Sequence, residues 1–98
     1  MFYFHRTALT VVGGSSNTTT LSIPGGMGRQ LLIRANTAST VFDASVVDPN
    51  GVTVHTEGFS EGEINNRALD LPMDGRYTVH ITNATLQDTF TLLLAVEE

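Results

Sequence analysis

The 98-residue chain contains no cysteine, no lysine and no tryptophan. Without cysteine there is no disulfide framework and no thiolate metal site. Without lysine, all the permanent positive charge rests on five arginines. They face ten acidic residues, for a formal net charge of −5 at pH 7, so non-specific attraction to nucleic acid or to an anionic membrane is not expected. Charged residues of both signs make up only 15% of the chain, below the quarter usual in soluble domains. No apolar run approaches the length of a membrane span. The opening M-F-Y-F-H-R has one basic residue and too short an apolar run for a secretory signal, so the product is expected to be made and folded in a cytoplasm.

Threonine takes the place of charge, with fourteen copies. Hydroxyl-rich polar faces suit β-structure, and they suit contact with other protein because little charge has to be desolvated. Helical periodicity is nowhere sustained, whereas period-two alternation recurs in short runs punctuated by Gly, Pro, Asn and Asp. At the C-terminus Phe90, Leu92, Leu94 and Val96 share one face, and Thr89, Thr91, Leu93 and Ala95 the other. Upstream, Tyr77, Val79 and Ile81 alternate with Arg76, Thr78, His80 and Thr82. Further strands are predicted over 7–12, 18–23, 30–35, 40–47, from Val52, and over 64–71. About eight strands at this spacing in one domain, 1–98, predict an all-β antiparallel sandwich or jelly roll, with residues 1–6 as an aromatic N-terminal arm.

The motifs that suggest chemistry have structural explanations. In D-P-N-G, Pro49 presets φ, Asp48 accepts backbone hydrogen bonds and Gly51 takes positive φ, as a hairpin corner requires. Asp48 and Asn50 alone fall short of a calcium ligand set. The glycine cluster P-G-G-M-G-R is followed by a strand-like run and not by the helix N-terminus that phosphate cradles use. It is read as a flexible strand connection. His5, His55 and His80 lack the spacing of a zinc site. No nucleophile elbow is present. Glu57, Glu61 and Glu63 lie in E-G-F-S-E-G-E, by composition a solvated acidic loop. The sequons at Asn17 and Asn83 mark loops rich in Asn and Thr. No catalytic residue, cofactor or metal is predicted.

Two segments point instead to contact with protein. In M-F-Y-F, strand alternation sends Phe2 and Phe4 to one side and Tyr3 to the other, more aromatic surface than one face of a small core can bury. In Q-L-L-I-R-A, Leu31 and Ile33 turn inward, which leaves Gln30, Leu32 and Arg34 on an outer face. An apolar residue flanked by Gln and Arg is a plausible contact centre. Phe2, Tyr3, Phe4, Gln30, Leu32 and Arg34 are therefore the candidate interface. Arg34 is expected to make a forked pair with a partner carboxylate.

From Val41 to Val96, the stretches F-D-A-S-V-V-D-P-N-G, L-D-L-P-M-D-G-R-Y-T-V-H-I-T-N and T-F-T-L-L-L-A-V resemble the bacterial pre-peptidase C-terminal type of β-sandwich. That resemblance implies a sandwich fold and an accessory role in carbohydrate binding or adhesion, for which Phe59 and Tyr77 are the aromatic candidates. In size and style, as a cysteine-free, lysine-free, Thr- and Gly-rich β-domain, the whole chain is similar to the small structural proteins of tailed bacteriophages. This second resemblance implies a virion protein, either a capsid decoration or cement subunit or a neck or tail component. Such a protein would bind other virion subunits, form a homo-oligomer and perform no chemistry. No functional residue is carried over from either family.

Overall fold

A computed structural model describes residues 1–98, the side chain of Phe59 excepted. The expected all-β sandwich is present, built from seven strands: β1 (Phe2–Val11), β2 (Asn17–Ala35), β3 (Val41–Val47), β4 (Thr53–Glu61), β5 (Glu63–Asn66), β6 (Leu71–Thr82) and β7 (Asp88–Glu97). All pairings are antiparallel, in the order β1-β7-β2-β6-β3-β4, with β5 on the other side of β2 from β7. The first part of β2 pairs with β6 and its last part with β7 and β5. The hydrogen-bonded ladder is therefore continuous, but β2 carries it from one layer to the other. The front layer holds β1, β7, the end of β2 and β5; the back layer holds the start of β2, β6, β3 and β4.

The corner in β2 is where the structure departs from the expected strands. Residues 18–23 and 30–35 belong to one strand, and P-G-G-M-G-R is its bend, not a flexible connection between two strands. The reason is steric. Gly25 and Gly26 have φ of 130° and 138°, values that residues with a Cβ resist. A Cβ on Gly26 would lie 2.7 Å from Val96 Cγ1 and 2.8 Å from Glu97 O, and one on Gly28 would lie 2.9 Å from Met73 Sδ. Strands β6 and β7 thus close on the bend from both sides, and only glycine lets them.

Three further expectations are corrected. E-G-F-S-E-G-E is strand, not loop: β4 runs through Glu61 and β5 starts at Glu63. Gly62 turns between them at φ 75°, with its Cα facing the Ala38 carbonyl so closely that a Cβ would stand 2.6 Å from that oxygen. The strand predicted over 64–71 ends at Asn66. Leu69 is buried from a connecting segment, and β6 begins at Leu71. The N-terminal arm is simply the start of β1, paired with β7 from Phe2↔Glu97 onward.

The two layers enclose one core. Leu9, Leu31, Ile33, Ile64, Phe90, Leu92 and Leu94 come from the front, and Leu21, Ile23, Phe42, Val46, Val79 and Ile81 from the back. Phe42 and Phe90 meet across it edge to face, with ring centroids 4.7 Å apart, a geometry that adds to simple burial. The D-P-N-G corner is built as its sequence requires. Asp48 Oδ1 accepts from the N–H groups of Asn50 and Val52 at 2.9 and 2.8 Å, and Gly51 has φ 85°.

Candidate interaction surface

The strand registers set the outer surface of the front layer row by row. Phe4 stands opposite Ala95, which stands opposite Gln30; Arg6 opposite Leu93, then Leu32 and Asn65; Ala8 opposite Thr91, then Arg34 and Glu63. Five of the six candidate residues, Phe2, Phe4, Gln30, Leu32 and Arg34, thus share one face. Tyr3 turns to the other side of β1, opposite the buried Val96, and is itself 45% exposed. Phe2 and Phe4 are 50% and 54% exposed.

Between the phenylalanines and the end of β2 lies a groove of about 420 Å³, lined by Phe2, Phe4, Arg29, Gln30, Arg67 and Ala95. The small Ala95 side chain is its floor. Its cations differ in availability. Arg29 is held by Asp70 (2.6 Å) and Glu97 (3.0 Å). Arg67 is exposed and has no hydrogen bond or ion pair among the described residues. Arg6 lies over the Phe4 ring, 5.6 Å from its centroid, a cation–π contact. With Arg34, four of the five arginines flank this front face in a chain of net charge −5.

Arg34 is partly engaged already. Its Nε and Nη2 both donate to Glu63 Oε1, at 3.2 and 2.7 Å, so any partner carboxylate meets a guanidinium held in place by the neighbouring strand. Gln30 Nε2 similarly donates to Asn65 Oδ1 at 3.0 Å. Sequence reasoning did not identify Arg6, Arg29 or Arg67 with this surface. Their gathering depends on β2 changing layers, which no local pattern announces.

The other candidate sites resolve into structure. His55 Nε2 and Glu57 Oε1 are 3.1 Å apart, and Asn66 Nδ2 donates to the same oxygen at 3.3 Å. This cluster links β4 to β5, the two strands on the open side of the sandwich. Among the described residues, no hydroxyl is hydrogen-bonded to it and no group of His, Asp and Glu is placed to hold a metal. Asn17 Nδ2 donates to Thr10 O, and Asn83, at φ 55°, donates to Asp43 Oδ2. Tyr77 is 5% exposed, with its hydroxyl oxygen accepting from the Asp74 N–H at 3.0 Å. It cannot serve as a sugar platform. Phe59, the other aromatic candidate for such a platform, has its side chain outside the described residues.

Asp88, at the start of β7, is the buried carboxylate of the molecule's described part. Oδ2 accepts from the Thr37 N–H and from the Thr40 hydroxyl, each at 2.8 Å, and Oδ1 from the Thr89 N–H at 2.8 Å. Burial alone pushes its carboxyl up. The donors of Thr37, Thr40 and Thr89 outweigh burial and hold it below the ordinary aspartate value.

No protein-family model matches the sequence, and no curated protein matches it. Among solved structures, the fold is similar to the Yersinia pseudotuberculosis-derived mitogen (TM-score 0.63, 9% identity, covering 100% of this chain and 89% of that one). It is also similar to FLHE (0.60, 8%, 99% and 98%) and to the Aeromonas hydrophila periplasmic inhibitor of g-type lysozyme (0.54, 14%, 98% and 86%). At these identities the likeness is one of fold.

Proposed function

We propose that the chain is a non-enzymatic structural protein that docks on other protein subunits through its front face, and that these are subunits of a bacteriophage virion. A capsid decoration or cement role comes first, a neck or tail component next. The observation that carries the docking part is the groove over Ala95, where two half-exposed phenylalanines stand beside Arg67, which has no partner among the described residues. Aromatic and arginine side chains together are the composition of interface centres. The virion part rests on the lysine-free, threonine-rich composition and on the style it shares with small phage proteins. The alternative, a carbohydrate-binding or adhesion module, is less well supported because Tyr77 is in the core.

Mass spectrometry of purified virions released by the strain that carries the gene tests the virion part. The chain is expected there in a fixed ratio to a capsid or tail subunit, and its absence overturns the virion reading. Within such particles, Phe4→Ala and Arg67→Ala are each expected to weaken re-binding of the purified chain by about tenfold or more. Unchanged binding by both removes the front face from the docking surface.

A further inference from the structure

Met1 and the first three residues of β1 are exposed large hydrophobics: Met1 80%, Phe2 50%, Tyr3 45% and Phe4 54%. They lie on both faces of the strand, Phe2 and Phe4 in front and Tyr3 behind. A partner lying on the front face covers only half of them. A strand added beside β1 covers both halves at once.

The backbone there is free to accept one. Glu98 N–H donates to the Met1 carbonyl at 3.0 Å, so odd-numbered residues of β1 turn their N–H and C=O toward β7, and alternation turns those of Phe2, Phe4, Arg6 and Ala8 away. The Thr10 carbonyl confirms the parity, since it is reached from the opposite side by Asn17 Nδ2 at 2.9 Å. From Thr7 onward the start of β2 flanks this edge, with the Thr7 and Thr19 hydroxyl oxygens 3.5 Å apart. The open edge is therefore Phe2–Arg6. Exposed edges are normally blunted by charge, proline, bulges or shortness. Edge strand β4 pairs with β3 through two register shifts and carries Glu57 and Glu61, and β5 is four residues long. The Phe2–Arg6 edge has neither proline nor bulge, and its one charge, Arg6, stands at its end over the Phe4 ring.

We propose that this edge pairs antiparallel with the same edge of a second copy of the chain, with Phe4 on the two-fold axis. The open stretch is symmetric about Phe4, so that axis alone uses all three outward-facing residues in both copies: Phe4 faces itself, and Phe2 faces Arg6 of the second copy. The cross-strand neighbours match chemically. Each Arg6, already over its own Phe4 ring, comes beside a second ring, Phe2 of the other copy, and the two arginines stay apart. Such self-complementarity is what an isologous two-fold interface requires. A foreign strand has no such constraint and leaves the symmetry about Phe4 unexplained. The front layers of the two copies join into one sheet, and their phenylalanines form one ridge on the face assigned above to docking. The pairing concerns the chain alone, and it stands or falls separately from the virion reading.

Sedimentation equilibrium of the purified full chain, from micromolar to sub-millimolar concentration, is expected to show twice the 10.5 kDa chain mass. Amide exchange is expected to show the N–H groups of Phe2, Phe4 and Arg6 becoming protected as the dimer forms. Phe4→Pro removes an N–H that strand parity turns away from β7. It is expected to weaken association by roughly a hundredfold or more while the protein still unfolds cooperatively. Phe4→Lys keeps every backbone group but sets two like charges on the axis, and is expected to yield monomer as well. The proposal is overturned by a wild-type monomer throughout the range, by unprotected amides in a dimer, or by association of the folded variants equal to wild type.

Discussion

Asp88 ties the connection between β2 and β3 to the start of β7 through Thr37 and Thr40, and Thr40 is fully buried. Asp88→Asn replaces a carboxylate oxygen with an amide that cannot accept from all three donors. It is expected to cost about 1–3 kcal/mol in urea unfolding at neutral pH. The sign with pH follows from the lowered carboxyl. A group whose folded pKa lies below its unfolded one stabilises above the unfolded value and loses that contribution as pH falls through the folded one. The gap between wild type and Asp88→Asn should therefore narrow on acidification past the ordinary aspartate range, and a gap independent of pH would contradict this. Arg34 differs, because its pair with Glu63 is exposed on both sides. Arg34→Ala should cost less than about 1 kcal/mol of stability, while weakening docking through the front face by roughly tenfold. Comparing thermal unfolding with particle binding separates the two effects.

At the scale of the element, the bend in β2 decides the architecture. Gly25 and Gly26 have similar positive φ, yet a Cβ on Gly25 meets nothing within 4 Å while one on Gly26 runs into β7. Gly25→Ala should carry only the conformational cost, about 1 kcal/mol, whereas Gly26→Ala should cost about 2 kcal/mol or more because Val96 and the Glu97 backbone must move. Equal losses in denaturant midpoints would mean that the layers do not close on the bend. The same bend explains the strand count. Alternation on either side of P-G-G-M-G-R reads as two strands, and only the pairing of Met27 and Gly28 with both β6 and β7 joins them into one.

For the whole molecule, the consequence of the β2 crossover is an uneven distribution of charge. Acidic residues outnumber arginines two to one, yet Arg6, Arg29, Arg34 and Arg67 meet on or beside the front face, from β1, the bend and the last part of β2, and the segment after β5. Docking by that face is expected to fall as salt rises from low to physiological concentration, since exposed charges beyond about 8–10 Å are screened there. The salt dependence should be reduced in Arg67→Ala, as measured by titration against the purified particle. A salt-independent affinity would leave the phenylalanines as the sole basis of contact.

The sequence by itself determined the β class, the inward and outward residues of β6, β7 and the end of β2, and the D-P-N-G corner. Each of these rests on period-two alternation or on turn chemistry within a few residues. It also determined that Phe2 and Phe4 would part from Tyr3. Only the tertiary structure decided that Gln30, Leu32 and Arg34 would lie beside Phe2 and Phe4, because the two segments are joined through Leu93 and Ala95 of the strand between them. The acidic run from Glu57 to Glu63 became two edge strands for a similar reason. Its composition favours solvent, but pairing of its backbone with β3 and β2 outweighs that preference. Cross-strand register is set by contacts distant in sequence, so a surface assembled from four strands is not legible in any one of them.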